Sequence, residues 1–206
     1  GDVVIPSTVN YDEKTYKVNY IGEYAFRGCT DLASVKIGKN VEAISSYSMS
    51  NIPCNVTFED GSRLKTIESY AFYKSTMTEI KIPNGCQTIG ENAFSSCNKL
   101  VLLDIPASVS SIESKAFGSC SGLKDIYVYW ANPTAYPMTV FQNLNCAKIK
   151  LHIPYGTQTS YSTVLPWMKF AIVEESYSPA SSLMDVVIDG MCYTLDEMAL
   201  TASVRA

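Results

Sequence analysis

One pattern recurs along this chain and constrains its fold more than any other feature. IGEYAFRGC begins at Ile21, ISSYSMSNI at Ile44, IESYAFYKS at Ile67, IGENAFSSC at Ile89 and IESKAFGSC at Ile112, so the leading isoleucines stand 23, 23, 22 and 23 residues apart. The aromatic position follows in register as Phe26, Met49, Phe72, Phe94 and Phe117, and a degenerate sixth copy places Phe141 after a step of 24. The residue before it is always small in the first five copies (Ala25, Ser48, Ala71, Ala93, Ala116). Three residues after it stand Cys29, Ile52, Ser75, Cys97, Cys120 and Leu144. One unit of this length cannot cover its own apolar stripe, so neighbouring units must stack to bury it, and the chain is expected to wind into a solenoid.

Short alternating runs lie between these segments: Val35-Lys36-Ile37, Val56-Thr57-Phe58, Ile80-Lys81-Ile82, Leu103-Asp104-Ile105, Ile126-Tyr127-Val128 and Ile149-Lys150-Leu151. A period of two marks strands with one buried face. Pro83, Pro106 and Pro154 follow closely, where a residue without an N–H ends a ladder. The connections are too long for hairpins, so successive strands should stack in parallel. The expected architecture has a parallel β-sheet on one face and short helical or irregular segments bearing the Ala-Phe pair on the other. Strand Leu and Ile side chains and the Phe column would fill the interior, each burial contributing roughly 1.5–3 kcal/mol.

The full period, I-P-x-x-V-x-x-I-G-x-x-A-F-x-x-C-x-x-L-x-x-I-x-I, is clearest from Ile82 through Ile105. It resembles the BspA-like leucine-rich repeats of bacterial surface proteins, and the resemblance runs from Gly1 to about Glu175. It implies a leucine-rich-repeat right-handed superhelix. The second copy departs from the pattern at Met49 and Ile52, and the sixth carries a Tyr136-Pro137-Met138 insertion, so regularity should falter there.

Residues 1–20, with Val3-Val4-Ile5-Pro6 and a hairpin through Asp12-Glu13-Lys14 into Tyr16-Lys17-Val18, are expected to cap the N-terminal end of repeats spanning 21–153. Residues 154–175 are expected to cap the other end, since family members commonly finish with a short helix and a Trp-containing segment, here around Trp167. Residues 176–185, with Pro179, read as a linker. Residues 186–206 read as two strands around Asp196-Glu197, either the start of a second module or an appendage.

Composition excludes several functions. Lys plus Arg is 16 and Asp plus Glu is 20, a net charge of −4, which argues against a nucleic-acid surface. No stretch approaches the roughly 18 apolar residues of a membrane span, and the N-terminus lacks a signal-peptide pattern. The single histidine, His152, excludes any site needing two. No phosphate loop, dinucleotide fingerprint or calcium loop is present, and no cofactor or metal is expected. The seven cysteines include no C-x-x-C pair, and free, buried thiols are expected in place of a disulfide framework. Gly118-Ser119-Cys120-Ser121-Gly122 resembles a nucleophile elbow, but Cys120 occupies the repeat column of Cys29 and Cys97, where it reads as a small buried hydrophobe. The pairs Glu59-Asp60, Glu174-Glu175 and Asp196-Glu197 read as solvated loop charges. Asn55-Val56-Thr57 matches a glycosylation sequon inside an expected strand.

The informative surface is the exposed face of the stacked strands. Its central column should hold Lys36, Thr57, Lys81, Asp104, Tyr127 and Lys150. Ser34, Glu79, Asp125 and Lys148 are expected on one side, and Glu59, Tyr129 and His152 on the other. His152 should point into solvent, and Trp130 inward. Lys36, Thr57, Lys81, Asp104, Tyr127, Tyr129, Lys150 and His152 are therefore the candidate partner-binding residues. Tyrosines beside basic groups suit recognition, although an ordinary sheet face also favours tyrosine. With the resemblance, this implies a non-enzymatic binding or adhesion module, at the cell surface or secreted, for a protein or glycan ligand on host or neighbouring cells. A structural spacer presenting another domain and a glycan-binding module are the alternatives.

Overall fold

The computed structural model describes residues 1–176 and, beyond them, the backbone of three strands. The expectations for residues 177–183, 189–190 and 197–200, including the Pro179 linker, lie outside the described residues.

The chain opens with β1 (Asp2–Ile5) and a hairpin of β2 (Thr8–Tyr11) and β3 (Lys14–Lys17). Asp12 and Glu13 both have positive φ, as a two-residue turn between right-twisted strands requires. From there each period supplies a two-residue strand and then a longer one. These are β4 (Tyr20–Ile21) and β5 (Ser34–Ile37), β6 (Ala43–Ile44) and β7 (Asn55–Phe58), then β8 (Thr66–Ile67) and β9 (Glu79–Lys81). They continue as β10 (Thr88–Ile89) and β11 (Leu102–Ile105), then β12 (Ser111–Ile112) and β13 (Asp125–Val128). The irregular sixth period gives β14 (Lys150–Ile153), and the single α-helical turn α1 (Gln158–Tyr161) leads to β15 (Ala171–Glu174).

The product is a parallel solenoid. The short strands stack as β4-β6-β8-β10-β12, with Ile21, Ile44, Ile67, Ile89 and Ile112 in one buried column. The long strands form two ladders on a neighbouring side of the turn, β1-β5-β7 and β9-β11-β13-β14-β15. Their inward residues, Val35, Ile37, Val56, Ile80, Leu103, Ile105, Ile126, Val128 and Leu151, are all buried.

The segment bearing the Ala-Phe pair is not a helix. Two residues per turn sit in the left-handed region: Tyr24, Tyr47, Tyr70, Asn92 and Lys115 at one position, and Gly28, Asn51, Lys74, Ser96, Ser119 and Asn143 at the other. A side-chain-bearing residue there costs roughly 1–2 kcal/mol. The cost is offset by hydrogen bonds, because the alternation of hand points every second N–H at the next turn. Tyr70, Phe72 and Lys74 donate to the carbonyls of Glu91, Ala93 and Ser95 at 2.7–3.0 Å, and Asn92, Phe94 and Ser96 repeat the pattern onto Ser114, Ala116 and Gly118.

The Phe column is continuous, with Phe72, Phe94, Phe117 and Phe141 stacked at 5.0, 5.4 and 5.6 Å between ring centroids. Trp167 is fully buried at the end of this column, against Phe141, Trp130 and Tyr161, and its indole N–H donates to the Thr134 carbonyl. Trp130 turns inward as expected and donates to the Val109 carbonyl. Beyond residue 183, β16 (Met184–Ile188), β17 (Met191–Asp196) and β18 (Thr201–Val204) form an antiparallel sheet, three strands where the sequence suggests two.

Candidate functional site

The outward column of the long strands runs Val4, Lys36, Thr57 on the first ladder and Lys81, Asp104, Tyr127, His152, Val173 on the second. Five of the six expected central residues are thus in register within their ladders, two on the first and three on the second. The sixth is not. His152 lies opposite Tyr127, while Lys150 lies opposite Asp125 in the neighbouring column. A slip of two residues keeps every side chain on its face, so the alternation of Ile149, Leu151 and Ile153 fits both registers equally.

His152 is also not solvated. Its ring is buried by its neighbours on the face: Nδ1 lies 2.6 Å from Glu175 Oε1, Nε2 lies 2.9 Å from Asp125 Oδ1, and the ring stacks on Tyr127 at 4.1 Å. Both nitrogens can donate at once only as imidazolium. Outward parity set by the pleat does not mean exposure when long neighbours fold over the ring.

Tyr129 is half-buried and donates to Asp104 Oδ2 at 3.2 Å. Burial pushes the Asp104 carboxyl above its ordinary range, against the opposing pull of the Lys81 ammonium and the Tyr129 hydroxyl. Burial first, then the Asp104 charge, pushes the Tyr129 phenol up. Burial and the carboxylates of Glu175, Asp125 and Asp104 raise Tyr127. Lys36, Thr57, Lys81 and Lys150 remain exposed. The face therefore divides into an open part on β5, β7 and β9 and a networked part on β11, β13 and β14.

Within the open part the sheet is interrupted, since β7 and β9 are not bonded to each other. The Asn55 side chain stands in for the missing ladder, accepting from the Thr78 N–H at 2.7 Å and donating to its hydroxyl at 3.1 Å. A groove of about 670 Å³ opens there, lined by β7, β9 and residues 59–62. Glu59 on its rim accepts from the Ser7 hydroxyl and, at 2.8 Å, from the Lys39 N–H, and these bonds hold its carboxyl below the ordinary range.

The sequence profile of the BspA-type leucine-rich repeat region, present in six copies, matches residues 8–124 and 54–162. The chain belongs to the BspA-type leucine-rich repeat family. Among solved structures, the leucine-rich repeat protein of T. pallidum is 30% identical with a TM-score of 0.52, over 61% of this chain and 57% of that one. The pneumococcal vaccine antigen PcpA shares the fold at 19% identity and a TM-score of 0.53, over 74% of this chain and 54% of that one. The chain thus spans a little over half the length of each of these structures. No curated protein matches it.

The cysteine column of this BspA-type solenoid is more than apolar filler. Cys97 and Cys120 are buried and donate to the carbonyls of Phe72 and Phe94, each at 3.1 Å. Cys120 is therefore a structural donor, and nothing in its burial or partner suits a nucleophile. Cys29, expected to be buried with them, is exposed, because no turn precedes it. Cys54, Cys86 and Cys146 are free and buried as expected. The Tyr24-Tyr47-Tyr70 stack, at 5.4 and 4.7 Å with the Arg27 guanidinium over the first two rings, is a repeat column of its own, two residues before the Phe column.

Proposed function

We propose that this chain is a non-enzymatic binding module of a bacterial cell-surface or secreted protein, recognising a macromolecular partner through its strand face. The observation that supports this most is the exposed pair Lys36 and Thr57, in register on one ladder, with exposed Lys81 across an open groove. On the turn side, by contrast, backbone donors are consumed in linking one turn to the next. A long, shallow, polar face suits a protein partner better than a small molecule, which is held by enclosure. Asp104, Tyr127, Tyr129, Lys150 and His152 would form the firm end of this surface. There the hydrogen-bonded, stacked ring is pre-organised and little ordering entropy remains to be lost on binding.

A surface-plasmon-resonance screen over host matrix proteins and glycans tests this reading. The wild type is run beside Lys36→Trp/Thr57→Trp, which crowds the face at two exposed outward positions and leaves the rim carboxylates unchanged. A partner lost in the variant supports recognition by the face, and free-sugar competition tells glycan from protein. A partner retained by the variant contradicts it, and silence over the whole panel favours a spacer.

A further inference from the structure

The interruption between β7 and β9 is built into the sequence. The step from the inward strand residue to the next leading isoleucine is 7 for Ile37 to Ile44, Ile82 to Ile89 and Ile105 to Ile112, but 9 for Phe58 to Ile67. The preceding arc, Ile44 to Val56, is 12 where Ile21 to Val35 is 14, so the period stays at 23 while residues 59–62 bulge beside β7. An edge opened this way leaves β7 and β9 facing each other without the ladder that joins β5 to β7 and β9 to β11.

The groove has two chemical levels. Its floor is apolar, from the buried Val56 and Ile80 and the half-buried Phe58 and Leu102. Its rim carries Glu59, Asp60, Glu79 and Asp104 against one cation, Lys81. Asp60 and Glu79 are exposed and have no ion-pair partner among the described residues. An aliphatic stem lying on the floor with a cation at the rim is what a Lys or Arg side chain supplies. The open strand edges offer main-chain donors and acceptors to an extended backbone.

Resting on the strand-face reading, we infer that this groove is the anchor point of the face. It takes a Lys or Arg side chain presented on an extended segment of the protein partner.

The test is an NMR titration of the ¹⁵N-labelled chain with penta-arginine, with penta-glutamate as the control. It is repeated on Asp60→Asn/Glu79→Gln, whose amide dispersion confirms folding. The expected result is saturating shifts confined to residues 55–62 and 79–84 with penta-arginine only, and at least a tenfold weaker midpoint in the variant. Shifts that never saturate, that spread equally over the acidic positions Glu91 and Glu113, or that persist undiminished in the variant overturn the inference. A protein captured by the face and indifferent to the double variant would overturn the groove while leaving the face reading intact. Saturating, variant-sensitive binding of penta-arginine with no macromolecular partner on any panel would support the groove and count against the wider face.

Discussion

The thiol of Cys97 donates to the carbonyl oxygen of Phe72, one turn earlier in the solenoid, at 3.1 Å. Ser75 does the same with its hydroxyl, donating to the Met49 carbonyl at 2.7 Å while accepting from the Ile52 N–H. This repeat position is thus a hydrogen-bond donor aimed between turns. The thiol stays protonated because the neighbouring Cys120 thiol, together with burial, raises it well above its ordinary range.

Serine should therefore replace cysteine here, and alanine should not. Cys97→Ala removes the thiol donor from the Phe72 carbonyl, which keeps its bond from the Ser75 N–H, a loss of about 0.5–1.5 kcal/mol. Cys97→Ser should keep most of that stability. Urea unfolding of the two variants beside the wild type checks the order, and equal losses would return the column to simple packing.

Phe94 lies between Phe72 and Phe117 in the stacked column and is fully buried. Phe94→Ala should cost about 3–5 kcal/mol, as large core truncations do. Chemical denaturation with an unchanged slope measures it; a loss under about 1 kcal/mol would mean that the column does not carry the core.

Asp104 carries a pH dependence whose sign follows from its burial. Its folded-state carboxyl titrates above the ordinary value, so the native state holds its proton where the unfolded chain has released it, and stability falls as pH rises through that window. Asp104→Asn removes the ionisation and can still accept from Tyr129. It should raise Tm at pH 7 and leave Tm at pH 3 unchanged. A lower Tm at pH 7 would show that the carboxylate stabilises the face.

Much of this was readable from the chain. The isoleucine spacing and the Phe column gave the solenoid and its interior, because burial in a stacked repeat demands the same residue type every turn. The strand face followed from parity through Tyr127. Parity failed at Lys150 and His152, where a two-residue slip changes the column without changing the face, and it is silent on how Asp125 and Glu175 enclose a ring. The turns were ambiguous for a different reason. Tyr24, Tyr47 and Tyr70 are not residues that announce a left-handed backbone, and only the bonds they free toward the next turn make that conformation tolerable. The groove was visible as the one long step from Phe58 to Ile67, but only once the strands on either side had been placed.

Recognition by the strand face is tested most directly by amide hydrogen exchange of the chain with and without a partner identified in the binding screen. Protection confined to β5, β7, β9 and β11, with residues 22–29, 45–52 and 68–75 of the turn side unchanged, is the expected result. Protection on the turn side with the strands unaffected would contradict it and move recognition to the tyrosine stack.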